Sequence, residues 1–340
     1  MTKKYNLGIS LLKVVAMVMV VTLHFLGHGG LLEATDKFSV NYYIAYLLEL
    51  LCIPAVNLFA LISGYTGVNS SFKPNKIAYI WFETLFYVVV IAFIFSKLGL
   101  ISLSVIEKMR LFIPILTNQY WYITAFVVMK LVAPFINSGI NKCDVKDITR
   151  LAVLVVVVLC LSSLLDDPFK LNGGYSALWL CVMYFVGALL SKVDIDVSFN
   201  TLLLIFVGIV SFNYLVLIKF ISHSYCVLNY DSLLCVIQSV VMLVMFTKLD
   251  IKTNCFNKLM STNLAVYLID DNKYVRHFFI RNSTVSLAHL NPLVMVMSLV
   301  GMSLVVYITA TFIDRIRLKV FEFSKVSKLC LDITSKLGSK

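Results

Sequence analysis

Residues 7–26 read LGISLLKVVAMVMVVTLHFL and form the first apolar stretch of the chain. Their length matches the roughly 20 residues with which an α-helix crosses the hydrocarbon core of a bilayer. A secretory signal would have a shorter apolar region and a cleavage site of small residues, whereas this stretch also contains Lys13 and His24. We therefore predict a retained membrane helix with two ionisable side chains inside it.

The rest of the chain has the same apolar character. Of its 340 residues, 60% are hydrophobic and 14% are charged, and the mean hydropathy is +0.91. Soluble domains contain about 25% charged residues, so the composition excludes a soluble protein. No polar stretch is longer than about 20 residues, which argues against an appended soluble catalytic domain. The prediction is one transmembrane domain, 1–314, followed by a basic cytoplasmic tail, 315–340.

The predicted fold is all-α, with about ten transmembrane helices. A sliding window of about 19 residues finds ten apolar runs of this kind. They lie near 7–26, 42–65, 77–96, 119–137, 149–165, 174–191, 200–221, 231–247, 259–270 and 291–313. The ninth run is the shortest. An even number of crossings places both termini on the same side of the membrane.

The net charge of +11 would indicate a nucleic-acid partner in a soluble protein. Here the Lys and Arg residues lie in short loops and in the tail, a distribution that sets orientation in the bilayer. Both termini are therefore predicted to be cytoplasmic, and no nucleic-acid partner is expected. The eight cysteines show no Cys-x-x-Cys spacing, so neither a disulfide framework nor a metal site is predicted.

Lys13 and His24 are separated by eleven positions. On an α-helix this spacing gives about three turns, a rotation within roughly 20° of the same face, and an axial distance of about 16 Å. The pattern suggests one group that holds an anionic donor and another that moves a proton, since an imidazole has an unperturbed pKa near 6.5. The alternative is a lysine that extends towards the interface and a histidine at the opposite interface.

Several other ionisable residues fall within the predicted spans. They are Glu49, Glu83, Lys130, Asp270 and Asp271. A charge within the membrane is costly, so each is either a functional candidate or one half of a structural ion pair. Glu49 has no charged neighbour in sequence and needs a partner from another span, with Lys13, Lys130 or a protonated His24 as the candidates. A catalytic role and a structural pair both stay open for it.

The second span ends in a polar and small-residue segment. Its side chains of interest are Asn57, Ser63, Gly64 and Tyr65. Serine and glycine permit a close helix approach or a break. Ser63 lacks the preceding Gly-x of a nucleophile elbow. We therefore interpret this segment as part of a binding pocket or of a packing surface.

Polar and aromatic residues alternate at the start of the fourth span. Gln119, Trp121 and Tyr122 lie there, and Tyr175 precedes the sixth span. Such alternation is typical of a platform that binds carbohydrate. The alternative is an ordinary belt of aromatic residues at the membrane interface.

Several segments together resemble the membrane-bound acyltransferase-3 family of bacterial O-acyltransferases, in its ten-span form. They are residues 6–13 (NLGISLLK) followed by His24, 55–65 (AVNLFALISGY), 117–122 (TNQYWY), 134–137 (PFIN), 172–175 (NGGY) and 266–272 (VYLIDDN). They occur in the order of the family and extend from residue 6 to about residue 280. The resemblance therefore covers most of the chain.

The resemblance implies transfer of an acyl group, commonly acetyl from acetyl-CoA, to a sugar hydroxyl of an exported glycan. His24 would be the catalytic residue, as a general base or as a transient acyl carrier. Lys13 stands where the family usually has arginine, and would contact the donor without the bidentate fork of a guanidinium. The implied partners are acyl-CoA, a polysaccharide or lipid-linked glycan, and the lipid of the bacterial cytoplasmic membrane, with no bound cofactor.

The chain departs from the family pattern at Asp270, where related members typically have histidine. A carboxylate of ordinary pKa is neither a cation nor a neutral donor, so proton handling at this position is expected to differ. We predict that Glu49 or Asp270 orients His24 and that Asp271 contributes to the pocket. The family's peptidoglycan-directed members often carry an extra extracytoplasmic domain, whose absence here favours capsule or O-antigen as the acceptor.

A hypothesis from another class stays open beside the enzyme. The intramembrane His, Glu and Lys residues are also compatible with a proton relay in a transporter or flippase of a lipid-linked sugar. Inverted repeats with paired broken helices would favour that function, and the sequence shows no such repeat.

Overall fold

The computed structural model describes residues 6–221, 224–251 and 255–335, and within these ranges the fold is helical throughout and contains no strand. The first five and the last five residues of the chain lie outside the described ranges, and the last five belong to the predicted basic tail. The α-helices are α1 Leu7–Leu26, α2 Leu31–Ala34, α3 Val40–Cys52, α4 Ala55–Gly67, α5 Pro74–Lys97, α6 Val105–Leu111, α7 Trp121–Lys142, α8 Val145–Leu164, α9 Ala177–Leu190, α10 Phe199–Lys219, α11 Tyr225–Leu228, α12 Leu233–Thr247, α13 Cys255–Met260, α14 Asn263–Asp270, α15 Lys273–Val275, α16 Pro292–Phe323 and α17 Val326–Ser335.

Eight segments in the described ranges are long and apolar enough to cross a membrane. They are α1, α3 with α4, α5, α7, α8, α10, α11 with α12, and α16. The two other predicted spans correspond to shorter helices, the 14 residues of α9 and the 8 residues of α14. The prediction of an all-α multi-pass membrane protein is confirmed, while length and composition support eight crossings and not the full ten.

Helix α1 lies at the centre of the bundle. It contacts α3, α4, α12, α13, α14 and α16. Asn6 caps its start, because the side chain accepts hydrogen bonds from the backbone N–H groups of Gly8 and Ile9 and donates one to the carbonyl of Thr247. A Cβ atom on Gly8 would lie 2.0 Å from the carbonyl oxygen of Phe246, so glycine is required at this close approach. Both ionisable residues of α1 are partly buried.

The second predicted span is divided between α3 and α4. The first of these ends at Cys52 and Pro54 is the N-cap of the second, which accounts for the break because proline cannot continue the hydrogen-bond ladder. Gly64 packs directly against α9, where a Cβ atom would lie 1.9 Å from the carbonyl of Tyr184. Gly187 makes the reciprocal approach, 1.9 Å from the carbonyl of Leu61. Small residues thus allow α4 and α9 to approach closely.

The last long helix continues past the predicted start of the tail at residue 315. Arg317 lies in its interior and is 2% exposed. Its Nε donates to Asp314, its Nη2 to Glu83 at 3.1 Å and its Nη1 to the hydroxyl of Tyr79 at 2.6 Å. These partners neutralise the charge of Arg317 within the helix, which ends at Phe323, and α17 then packs against α5. Glu83 is therefore part of a structural ion pair.

Candidate active site

A cavity of about 330 Å³ lies beside α1 and is lined by residues of α4, α5, α7, α13 and α14 and by Tyr230, which precedes α12. Lys13 and His24 both line it. Ser63 of α4 and Trp121 and Tyr122 of α7 line it as well. The volume falls in the usual range for small-molecule sites. The predicted stripe on α1 therefore faces a single cavity, with a cation towards one end and an imidazole towards the other.

His24 is paired with the carboxylate that ends α14. Its Nδ1–H donates to Asp270 Oδ2 at 2.5 Å. Asp270 is 1% exposed, and its other oxygen, Oδ1, has no hydrogen-bond partner within the described part of the chain. The hydrogen bond to Asp270 favours the neutral tautomer with its proton on Nδ1. In that tautomer Nε2 has a free lone pair and is able to accept a proton. We call this pair the His24–Asp270 dyad.

A second carboxylate lies on the other side of the imidazole. Asp271 Oδ1 is 4.0 Å from His24 Nε2 and accepts a hydrogen bond from Arg276 Nη1 at 2.9 Å. Arg276 opens a short π-helix, Arg276–Ile280, a distortion often found at functional sites. His28 follows in the turn after α1, with its ring centroid 5.3 Å from that of His24. Desolvation and the neighbouring imidazole of His24 lower the pKa of His28 to about 4, so this ring is neutral at pH 7.

Two tyrosines border the cavity near the dyad. The ring of Tyr267 lies 6.4 Å from that of His24 and 6.1 Å from that of Tyr122. The hydroxyl of Tyr122 is buried and has no hydrogen-bond partner among the residues that the structure describes. Nearby Tyr120 is by contrast fixed, because its hydroxyl donates to the carbonyl of Leu268 and accepts from Asn272. Tyr122 is thus a buried O–H donor that borders the cavity.

An aromatic cluster lies on another wall of the cavity. The ring of Trp121 is 4.5 Å from Tyr175 and 6.2 Å from Tyr230, to which it is nearly parallel. Trp121 and Tyr230 line the cavity, and Tyr175 is 49% exposed. The cluster therefore joins the cavity to an exposed surface.

A further wall of the cavity is basic. A second cavity of about 370 Å³ adjoins the first, and Ile80 and Phe126 line both. Lys73, Lys76 and Lys130 line this second cavity. Lys13, Lys76 and Lys130 are near enough to repel one another electrostatically. Like charges gathered in this way favour an anionic ligand.

The family model of the acyltransferase-3 family, described as an acyltransferase domain, matches residues 6–312. The chain belongs to this family. It is therefore a multi-pass membrane acyltransferase, and the resemblance inferred from the sequence motifs is confirmed. No curated protein and no solved structure matches the chain.

The structure of this acyltransferase places some of the predicted site residues away from the cavity. Glu49 forms no ion pair in the part of the chain that the structure describes, and its buried Oε2 has no hydrogen-bond partner there. The three partners predicted for Glu49 from the sequence, Lys13, Lys130 and His24, therefore do not pair with it. Gln119 donates to the carbonyl of Arg110 in the loop before α7.

Residues 57–65 have structural contacts in addition to the cavity contact of Ser63. Asn57 donates to the carbonyl of Tyr230 at 2.8 Å and accepts from Trp179 Nε1 at 2.9 Å, so it ties α4 to α9 and to the start of α12. Gly64 serves the close approach to α9, and Tyr65 packs on the edge of the core.

Several residues at the site were missed by the sequence analysis of this acyltransferase. Tyr230 and Arg276 reach the site only through the tertiary fold, and the sequence holds no signal for them. His28 did have a signal, because it follows His24 by four positions, a spacing that places two side chains near each other along a helix.

Proposed function

We propose that this acyltransferase transfers an acetyl group from acetyl-CoA to a sugar hydroxyl of an exported glycan, such as a capsule or an O-antigen, in the bacterial cytoplasmic membrane. One observation carries the proposal. The cavity is lined by the cation Lys13 and by His24, the imidazole of the dyad, about three helical turns apart along α1. This separation suits a reaction whose anionic donor and neutral acceptor enter from opposite sides.

The basic wall supports a coenzyme A donor. Lys13, Lys76 and Lys130 offer ammonium groups to phosphates, and a lysine binds phosphate as a point charge. In the proposed orientation with both termini in the cytoplasm, the basic end of α1 lies on the side that holds acetyl-CoA. The flexible pantetheine arm of the coenzyme would then pass along the cavity and bring the thioester towards His24.

The dyad supports general-base catalysis. His24 Nε2 accepts the proton of the sugar hydroxyl while the hydroxyl oxygen attacks the carbonyl carbon of the thioester. The tetrahedral intermediate then collapses, its C–S bond breaks, and His24 returns the proton to the thiolate sulfur of coenzyme A. Asp270 holds the ring in the required tautomer and stabilises the imidazolium that forms in between.

Tyr122 supports the same step from the other wall. Its hydroxyl has no partner in the described residues, so it is free to donate to the thioester oxygen, on which negative charge grows during the attack. A donor held in place for that oxygen stabilises the transition state more than the ground state. We assign Tyr122 this role.

The aromatic cluster supports a carbohydrate acceptor. Trp121 and Tyr230 offer nearly parallel rings, and Tyr175 extends the cluster to the exposed surface. Sugars present an apolar face of C–H groups that packs on aromatic rings while their hydroxyls stay available for hydrogen bonds. A sugar bound on these rings would direct one hydroxyl into the cavity that His24 lines.

The test is a transfer assay with purified protein in lipid nanodiscs. Acetyl-CoA labelled in the acetyl group is supplied together with de-O-acetylated capsule or O-antigen as acceptor, and label in the glycan is counted after removal of the nucleotide. Label in the glycan that depends on the protein supports the proposal. A transporter or flippase leaves the glycan unlabelled, and that result with every acceptor tested would contradict it.

A further inference from the structure

Three potential metal ligands converge beside the cavity. One nitrogen each of His24 and His28 and one carboxylate oxygen of Asp271 lie within 4.8 Å of one another. The two histidines come from the end of α1 and the turn that follows, whereas Asp271 follows the last residue of α14. Two helix ends that are remote in sequence therefore bring together two imidazoles and a carboxylate.

This set of ligands suits Zn²⁺. Zinc in proteins is bound by imidazole nitrogen and carboxylate oxygen at about 2.0–2.2 Å in a tetrahedral arrangement. Ligand atoms in such a site are roughly 3.4 Å apart, so the three side chains need to approach by about 1 Å. His28 is exposed and lies between Gly27 and Gly29, which leaves its ring free to make most of that adjustment.

The surroundings of His24 favour a metal at its Nε2 atom. Asp270 accepts the hydrogen bond from Nδ1, which is the arrangement that orients many metal-binding histidines and raises their basicity. Asp270 and Asp271 carry two negative charges against the single positive charge of Arg276. Arg276 donates a hydrogen bond to Oδ1 of Asp271. Because a carboxylate has about four lone-pair sites, Asp271 is still able to coordinate an ion.

We propose that His24, His28 and Asp271 form a binding site for Zn²⁺ and that the bound ion reversibly inhibits the transferase. Inhibition follows because the metal occupies the same Nε2 lone pair that accepts the proton of the acceptor. The inhibitory part rests on the proposed role of His24, whereas the binding site stands on the convergence of ligands alone. Coordination forms bonds to lone pairs without breaking any covalent bond, and a chelator restores the free base.

The experiment measures zinc binding and activity separately. Isothermal titration with ZnCl₂ in nanodiscs, after treatment with a chelator, compares the wild type with His28→Ala and with His289→Ala. His289 is the matched control, since it is also exposed and lies beside a carboxylate, Asp36. We expect about one zinc per chain in the wild type and in the control, and affinity weaker by at least roughly tenfold in His28→Ala.

The same three proteins are assayed for acetyl transfer with and without ZnCl₂. We expect zinc to suppress transfer in the wild type and in His289→Ala, a chelator to restore it, and His28→Ala to lose a smaller share of its own zinc-free rate. No zinc binding up to about 100 µM, at which a site would contribute only ~5.5 kcal/mol, or equal binding by all three proteins, overturns the site. Zinc binding that leaves transfer unchanged overturns the inhibition. If no protein transfers acetyl groups without zinc, the proposed function fails, while the titration still decides the site.

Discussion

Two groups of buried charges in this acyltransferase each combine one basic side chain with two carboxylates. They differ in how the basic side chain is bonded. In the first, Arg317 bonds to Asp314 and Glu83, and each of its three nitrogens donates a hydrogen bond. In the second, His24 is paired with Asp270 through Nδ1, while its Nε2 atom lies 4.0 Å from Asp271 and forms no hydrogen bond within the described ranges. The first group joins α5 to α16, and the second borders a cavity.

The difference separates a structural role from a chemical one. A buried guanidinium whose three nitrogens all donate within the protein holds helices in register, but it has no donor group left for a ligand. A dyad with an unused lone pair beside a cavity is able to react. Hydropathy does not distinguish the two, since Glu83 and His24 both appear in the sequence as isolated ionisable residues in apolar runs.

The largest expected effect is on the stability of the first group. Substitution Arg317→Ala leaves Glu83 and Asp314 buried without a counter-ion, which we expect to lower the free energy of unfolding by about 3–5 kcal/mol. Unfolding in a detergent titration measures it. The matched control is Arg150→Ala, whose pair with Asp147 is exposed and should change stability by less than about 1 kcal/mol. Equal stability of the two variants would contradict a structural role for Arg317.

The second prediction concerns the carboxylate of the dyad. Substitution Asp270→Asn keeps the size of the side chain but removes the charge that stabilises the imidazolium, and we expect kcat for acetyl transfer to fall about 10²-fold or more. KM for the donor should change little, because Asp270 contacts His24, about three helical turns along α1 from Lys13. A kcat equal to that of the wild type would show that Asp270 does not act on His24.

The third prediction separates catalysis from stability at Tyr122. Substitution Tyr122→Phe removes a buried hydroxyl that has no hydrogen-bond partner among the described residues. The stability of the protein should therefore be unchanged or slightly raised. The kcat for acetyl transfer should fall about tenfold or more. Tyr307→Phe is the contrast, since the hydroxyl of Tyr307 donates to Asn263 Oδ1 at 2.7 Å and its loss should cost roughly 1 kcal/mol of stability. Loss of stability in Tyr122→Phe with unchanged kcat would reverse the assignment.

The smallest effect is expected at the donor end. Substitution Lys13→Ala removes one of several lysines, so we expect KM for acetyl-CoA to rise several-fold while kcat is largely kept. Lys13→Arg keeps the charge and should preserve or improve donor binding. Initial rates at varied acetyl-CoA concentration measure both variants. The opposite order of KM would argue against a phosphate contact.

The sequence predicted those features that depend on local periodicity. Spacing along one helix placed Lys13 and His24 on one face, and the serine and glycine at 63–64 permitted either a close helix approach or a break, of which the structure shows the first. It could not identify which carboxylate meets His24, because Asp270 is 246 positions away and Glu49 was an equal candidate. The partner of Glu83 was likewise hidden, since residue 317 lay in the predicted tail. Such pairings depend on the tertiary packing of helices around α1.

In the proposed mechanism His24 is the base of the acetyl transfer. The most direct measurement is label transferred from acetyl-CoA to glycan by wild type, His24→Ala and His289→Ala in nanodiscs with a chelator present, with unfolding measured for each protein. We predict that His24→Ala stays folded, with some loss of stability because Asp270 loses its partner, and loses about 10²–10⁴-fold in rate, while His289→Ala, altered at an exposed histidine, transfers at the rate of the wild type. Transfer by a folded His24→Ala at the rate of the wild type would contradict the assignment of His24 as the base.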